Sequence, residues 1–400
     1  MESFVFHFPT KIVFGSGKLA TTGQEAKALG KRPLLLTGKT AMQKAGVLAK
    51  VLGMLKSVNV TPVLLEKIEP NPRSETLDEA VALGLAEGCD FVIGLGGGSP
   101  MDSAKAVSAA MAMSKPGQTP VSVWEFTSGV GDKKRAVTAT LPMLLISSTS
   151  ATGSEGNCAA VITRWATREK SVLWDLNAFP TVAIVDPELM LSLPLENTRD
   201  GVIDMMMHVL EQTFNGDDKA AVQDRTVEGM VRGMMEGLDA VEANLGDLTA
   251  RENLSWASVN ALIAGGGPNF GRTGAFTVHH LEHPLSGHTD ISHGHGLAAL
   301  WPRYMRVILE KKAAKIATMG VNIFGVQPGE SAAPKTLDAI EVWLKRHELW
   351  FNLKDFGVTE ATIGQMGADA IKLYGGGRSV LGAPVPLTQE KCEAIYRAAL

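Results

Sequence analysis

The sequence predicts a chain of mixed class, α/β up to residue 187 and all-α from 188 to 400. Three observations predict it. Short apolar runs alternate with helical patterns as far as about residue 185. A run of glycines at 96–98 leads directly into a helix start. Beyond Pro187 the β-branched runs fade, and long helical patterns take over together with a dense group of histidines.

The strands of the first half are read from PLLLTG at 33–38, TPVLLE at 61–66, DFVIGLG at 90–96, LPMLLISS at 141–148 and TVAIVD at 181–186. Strands recurring between helical stretches read as a parallel sheet. In the second half, ENTRDGVIDMMMHVLEQTF and the Ala/Met/Leu-rich stretches around 220–245 and 253–265 read as helices. The boundary falls near 186–192, and the chain has neither internal repeats nor a low-complexity linker.

Bulk properties bound the function. At 400 residues the chain exceeds one ordinary core, so two domains are expected. Apolar residues at 45%, charged residues at 20% and 42 glycines suit an enzyme, although these numbers alone leave binding and structural proteins open. A net charge of −4 gives no general attraction for nucleic acid or an anionic membrane, so neither is expected as a partner. The N-terminal MESFVFHFPTKIVFG lacks the basic, apolar and small-residue order of a signal peptide, and no run approaches eighteen apolar residues. A cytoplasmic location is therefore expected. Three widely spaced cysteines, Cys89, Cys158 and Cys392, read as reduced structural thiols.

After DFVIGLG, the glycines Gly96, Gly97 and Gly98 lead to Ser99, Pro100 and Asp102. Ser99 suits an N-cap, Pro100 the first helical position, and Asp102 a residue whose carboxylate reaches back to the unpaired amides. A glycine turn aimed at a helix N-terminus offers N–H groups and a positive dipole end to a pyrophosphate. A tight βα turn that binds nothing is the other reading of a lone glycine cluster. The third fingerprint position is Ser99 and no acid stands about 20 residues on, so a nucleotide site of a type other than the standard Rossmann one is indicated. A second polar turn, SSTSATGSEGN at 147–157, ends another strand and either lines the same cleft or is a solvated loop.

Six of the nine histidines lie between residues 279 and 295, in HHLEHPLSGHTDISHGH, interleaved with apolar residues in the manner of a packed segment. His279 and His283 share a helix face if LEHPL begins or ends a helix, Pro284 counting against its continuation, with His293 returning from a loop. Upstream, Asp204 and His208 stand at i and i+4 on a helix that Asp200 would cap. One carboxylate with three imidazoles suits Zn²⁺ or Fe²⁺.

GGGSPMDSAK, TGSE at 152–155, DPELM at 186–190, the D-x-x-x-H at 204–208 and H-x-x-x-H-P-L at 279–285 followed by HG at 293–294 occur together in one order. In this the chain resembles the group III, iron-containing alcohol dehydrogenases over its whole length. The resemblance implies a Rossmann-like dinucleotide-binding domain and a helical, metal-binding and substrate domain, as in the relatives of dehydroquinate synthase. It implies metal ligands Asp204, His208, His279 and His293, with His283 near the nicotinamide and not a ligand. It further implies a pyrophosphate loop at Gly97, Gly98 and Ser99, with Asp102 beside it, and a second cofactor loop at Ser148, Thr149, Thr152 and Ser154. Asn71 matches an adenosine-side position and Lys170 a lysine that reaches the ribose. His280, His288 and His295 match no assigned role.

Two departures stand out. Ser148-Thr149-Ser150-Ala151 replaces T-T-A-G while keeping the hydroxyls, and Gly38 followed by Lys39 replaces the acid many relatives carry after the first cofactor strand. Without that carboxylate, NADP(H) is expected to be favoured over NAD(H). The implied function is hydride transfer between a nicotinamide cofactor and a small alcohol or aldehyde, by a homodimer or higher homo-oligomer. A non-redox lyase or synthase of the same architecture is the alternative, and a metal-storage protein a weaker one.

Overall fold

The computed structural model describes residues 3–265, 274–382 and 384–400. These divide into two compact units, one of Phe8–Leu195 with Val241–Val259, the other of Met1–His7, Glu196–Ala240 and Asn260–Leu400.

The strands are β1 (Lys11–Phe14), β2 (Pro33–Gly38), β3 (Val63–Ile68), β4 (Phe91–Gly96), β5 (Met143–Ser147), β6 (Ala159–Arg164), β7 (Glu169–Trp174) and β8 (Val182–Val185). The helices in chain order are α1 (Thr22–Leu29), α2 (Ala41–Lys44), α3 (Val47–Ser57), α4 (Ser74–Ala86), α5 (Gly98–Met113), α6 (Leu195–Asn215) and α7 (Ala221–Ala243). They continue with α8 (Leu248–Asn260), α9 (Thr277–Thr289), α10 (His293–Phe324), α11 (Ala332–Arg346), α12 (Glu360–Tyr374) and α13 (Gln389–Arg397).

In the first unit six strands form a parallel sheet in the order β1-β8-β5-β4-β2-β3. Successive side chains of a strand point to opposite faces, yet Leu34, Leu35 and Leu36 are all fully buried, so both faces are covered. Leu34, Leu36, Val92 and Leu145 pack with Leu77, Val81 and Val107 of α4 and α5. Leu35, Ile93, Ile146 and Ile184 pack with Ala26, Val51 and Leu55 of α1 and α3. Each of these larger side chains contributes roughly 1.5–3 kcal/mol by leaving water. From β2 the chain steps to β3 on one side and then returns to β4 on the other, a reversal of strand order. Ligands of open α/β sheets sit outside the carboxyl ends of the strands flanking such a point.

The sequence reading placed no strands at β6 and β7, which pair antiparallel from Ala159 opposite Trp174 to Arg164 opposite Glu169. Charged TRWATREK masks the alternation that buries Ala160 and Ile162. The division into units also differs from 1–187 and 188–400. Residues 241–259, carrying most of α8, go with the α/β unit because Ser255 and Ser258 hold the loop after β5, with Ser150 Oγ and Ser255 Oγ 3.0 Å apart and Ala151 N–H donating to Ser258 Oγ at 3.0 Å.

The second unit is helical throughout its described residues apart from turns and an isolated bridge between Leu381 and Leu387. α9 runs through Pro284 without ending there. No helix among the described residues is long and apolar enough to cross a membrane.

Candidate active site

Because the sheet is parallel, the loops after β2, β3, β4 and β5 emerge at one end. Gly38 closes β2, opposite Ile68, the last residue of β3. Asn71 follows shortly after in a left-handed conformation, with φ 52°. The next segment is tied to the hairpin, since Thr163 N–H donates to Pro72 O at 2.8 Å and Thr163 faces Lys170 across β6 and β7. The topology thus brings Asn71 and Lys170 into one neighbourhood.

The loops after β4 and β5 interlock. Ser148 N–H donates to Gly96 O at 2.9 Å. A Cβ on Gly97 would lie 3.1 Å from Thr149 Oγ1, and one on Gly98 only 2.6 Å from Thr152 Cγ2, so glycine is required at 98 for the loops to meet. Gly97, Gly98, Ser99, Thr149 and Thr152 remain partly exposed, whereas Ser148, Ser154 and Asp102 are buried.

Here the capping expectation is corrected. Gly97, not Ser99, is the N-cap of α5, the helix begins at Gly98, and no side chain caps it. Asp102 does not reach back to those amides. It accepts from Ser154 Oγ at 2.6 Å and from Val161 N–H at 2.8 Å, tying α5 to the second loop and β6. The unsealed N-terminus leaves backbone N–H groups and the dipole end to an anion.

Beneath the loops lies a buried charge cluster that sequence reasoning missed. Lys105 Nζ donates to Asn157 Oδ1 at 2.9 Å and to Ala159 O at 2.7 Å. Burial pushes Lys105 down to about 8, against the opposing pull of Asp102. Burial likewise pushes Glu155 up to about 7, with Ser258 Oγ donating to its Oε1 at 3.3 Å. Gly153, just before Ser154 and Glu155, takes φ 57°, and a Cβ there would lie 2.5 Å from Ser258 O.

In the helical unit, α6 supplies Asp204 and His208, α9 supplies His279 and His283, and His293 is the first residue of α10. The Nε2 atoms of His208, His279 and His293 lie 3.3, 3.5 and 3.6 Å from one oxygen, Asp204 Oδ1. That oxygen and His279 Nε2 are buried without a hydrogen-bond partner. Buried polar atoms are rarely left so, and a cation among them satisfies the donor set. Close helix approach makes the convergence possible: a Cβ on Gly294 would meet Asp200 Cα at 2.5 Å, and one on Gly296 would meet Glu282 Cγ at 2.8 Å.

Two carboxylates absent from the sequence reading stand behind the histidines. His279 Nδ1 donates to Glu211 Oε1 at 2.6 Å, and His293 Nδ1 donates to Glu282 Oε2. Each carboxylate only accepts, so each Nδ1 carries the hydrogen and Nε2 keeps a lone pair for an ion. Glu211 is fixed in turn by Val278 N–H at 2.5 Å, and Glu282 by Ser286 Oγ. Burial opposes ionisation of Asp204, yet His208, His279 and His293 hold its carboxyl well below the usual range. Burial pushes His208 down to about 3. For His279 burial is outweighed by Glu211 and Asp204, which lift it to about 10. Between two acids, the place of His279 calls for positive charge.

Other residues of the histidine segment have partners of their own. Asp200 lies within α6 rather than capping it, and accepts from His295 Nδ1 at 2.5 Å and from Ser292 Oγ. His288 Nε2 donates to Asp369 Oδ2 at 2.8 Å. His280 stacks on Tyr374, with ring centroids 4.3 Å apart. His283 shares a hydrogen bond between Nδ1 and the Tyr374 hydroxyl, and also stands with Glu282 and His293 as a group whose donor atoms lie within 4.8 Å of one another.

Residues 9–187 match the family model for iron-containing alcohol dehydrogenase, and residues 198–400 match that of the Fe-containing alcohol dehydrogenase family, C-terminal. The chain is 30% identical to NADH-dependent butanol dehydrogenase A of Clostridium acetobutylicum, over 99% of each. It is 28% identical to the NADPH-dependent aldehyde reductase YqhD of Escherichia coli, over 100% of each. The crystal structure of NADH-dependent butanol dehydrogenase A from Thermotoga maritima superposes with a TM-score of 0.92 at 34% identity, covering 100% of this chain and 99% of that one. Family models that together span nearly the whole chain leave one assignment: it belongs to the iron-containing alcohol dehydrogenase family and is an enzyme.

Proposed function

We propose that this enzyme interconverts a small alcohol and its aldehyde with a divalent ion, Fe²⁺ or Zn²⁺, held by Asp204, His208, His279 and His293, and with NADP(H) favoured over NAD(H). The observation that carries the reading is the convergence of three ring nitrogens on the unpartnered Asp204 Oδ1. When bound, the ion supplies positive charge against a substrate oxygen and the nicotinamide supplies or takes the hydride.

The chain's own residues do the rest. The N–H groups of Gly98 and Ser99 at the uncapped start of α5 bind the pyrophosphate, with Gly97, Thr149 and Thr152 forming the partly exposed walls. Ser148, Ser154 and Asp102 hold those walls together from below. Asn71 and Lys170 take the adenosine ribose side. His283 holds or releases the substrate proton at Nε2, its Nδ1 being engaged by Tyr374. Preference for NADP(H) rests on Gly38: it offers no carboxylate to a ribose 2′-hydroxyl, and the exposed Lys39 beside it attracts a 2′-phosphate. The relatives include both NADH- and NADPH-dependent enzymes by name. The cytoplasmic location and homo-oligomeric state expected from the sequence are part of the same reading.

His279→Ala tests the centre. The variant is expected to lose both its divalent ion, by elemental analysis, and its turnover with short aldehydes, followed at the reduced-nicotinamide absorbance. Full turnover in protein shown to be metal-free would overturn the reading.

A further inference from the structure

We propose that Tyr374 is a positioning residue for proton transfer, acting through His283; this rests on the relay role proposed for that histidine. Tyr374 is the last residue of α12, and the helix stops there because of the glycines that follow. Gly375 N–H donates to Ile371 O at 2.8 Å, and a Cβ on Gly375 would lie 2.5 Å from that oxygen and 2.6 Å from Arg378 O. Gly376 and Gly377 then take φ 59° and 76°, which other residues rarely adopt.

The ring so placed is held on two sides. Its face stacks on His280 at 4.3 Å with the planes 6° apart, and its hydroxyl bonds His283 Nδ1. The pairing of α12 with α9 is fixed independently. His288 meets Asp369 at 2.8 Å, so stepping five residues along α9 from His283 corresponds to stepping five back along α12 from Tyr374. The two helices therefore run antiparallel with a defined register. Gln365 Nε2 holds the other oxygen of Asp369 at 3.1 Å, and Tyr396 of α13 donates to Leu281 O at 2.6 Å on the same stretch of α9. An accidental neighbour of a catalytic histidine needs none of this support.

A phenol does here what a carboxylate could not. The carboxylates behind His279 and His293 accept only, which fixes a single tautomer and suits a metal ligand. A tyrosine hydroxyl both donates and accepts. When it donates to Nδ1, the hydrogen of a neutral His283 ring sits on Nε2 and can be given to substrate. When Nδ1–H donates to the tyrosine oxygen, Nε2 carries the lone pair and can take a proton. In aldehyde reduction the proton on Nε2 passes to the substrate oxygen, the Tyr374 proton moves to Nδ1, and solvent returns one to the phenol oxygen; before the next turnover Nε2 takes a proton from solvent while Nδ1 gives its own to the phenol oxygen, which releases one to solvent, and alcohol oxidation runs the same transfers backwards. Either way the imidazole switches role without rotating, while the hydride is exchanged with the nicotinamide.

The test is a cycle of Tyr374→Phe, His283→Ala and the double variant, with metal content and cofactor affinity measured for each. Tyr374→Phe keeps the ring that stacks on His280 and removes only the hydroxyl. It is expected to bind metal and cofactor normally and to leave KM for the aldehyde unchanged. Its kcat should fall about 10- to 100-fold, the usual cost of losing a partner that orients a functional imidazole, and the solvent deuterium isotope effect on kcat should rise. In the His283→Ala background the same change should cost nothing further. Wild-type kcat and isotope effect in Tyr374→Phe, with turnover reduced in His283→Ala, would overturn the role of Tyr374 and leave the relay intact. An additive loss in the double variant, or a Tyr374→Phe defect confined to KM or metal content, would also overturn it. Wild-type turnover in His283→Ala would instead remove the relay on which the proposal rests.

Discussion

The cofactor loops and the metal cluster solve the problem of binding charge in opposite ways. In the α/β unit the candidate phosphate site is made of backbone: an uncapped helix start at Gly97 and Gly98, fitted against Thr149 and Thr152 with no room for a Cβ at 98. In the helical unit the candidate metal site is made of side chains, each with a second side chain behind it, as Glu211 stands behind His279 and Glu282 behind His293. The first depends on the absence of side-chain volume at Gly98, and the second on the hydrogen-bonding capacity of the carboxylates behind its histidines. Bulk added at the loop and altered hydrogen-bonding capacity behind the histidines should therefore act on different halves of the activity.

The comparison is broken most directly at Glu211. Glu211→Gln keeps the volume but can turn an amide N–H toward His279, so metal affinity should fall about 10- to 100-fold. Titration with a competing chelator reads this, and cofactor affinity should be untouched. On the other side, Gly98→Ala adds one methyl group 2.6 Å from Thr152 Cγ2. Overpacking of about 1–3 kcal/mol corresponds to about a 5- to 150-fold loss of affinity for the reduced cofactor, measured by fluorescence titration, with metal content normal. If Gly98→Ala also emptied the metal site, the two halves would not be separable as described.

Smaller effects sharpen the picture. A Cβ at Gly38 would meet only Ile68 O, at 3.6 Å, so Gly38→Asp introduces charge without strain. It should shift the ratio of kcat/KM values toward NAD(H) by about tenfold, as one charge-assisted hydrogen bond does. Equal or better efficiency with NAD(H) in the unmodified enzyme would remove the basis for this expectation. The smallest effect is on pH-dependent stability. Glu155, raised by burial to about 7 when folded, binds its proton more tightly in the native than in the unfolded state, so between the ordinary value of 4.5 and about 7 it lowers stability as pH rises. Lys105, lowered to about 8 from 10.5, does the opposite: stability recovers as pH rises through that window. Glu155→Gln should flatten the first slope in denaturation curves. An unchanged slope below pH 7 would show that Glu155 is not the group responsible.

Much of this could be read from spacing along the chain. Asp204 and His208 are one helical turn apart, and the glycines precede α5 directly, so local patterns exposed both. What escaped was held together by distance in the sequence. Glu211 and Glu282 are single acids whose partners lie 68 and 11 residues away, and Tyr374 is 91 residues from His283. Lys105 looked like any helical lysine until its partners Asn157 and Ala159 were seen. The error over Ser99 has a different origin. Serine before proline is a good cap by local preference, but Gly97 and Gly98 let the backbone turn two residues earlier against the second loop.

The inclusion of Val241–Val259 in the α/β unit bears on how the chain matures. During synthesis the six strands leave the ribosome by residue 185, but Ser255 and Ser258, which hold Ser150, Ala151 and Glu155, follow some seventy residues later. Until they arrive, the loop after β5 lacks its anchor and the Glu155 carboxyl lacks its hydroxyl partner. A fragment cut at the apparent boundary after residue 187 would keep every strand of the sheet and still end short of a finished nucleotide site, whereas supplying 241–259 on a peptide in trans offers a route to completing it.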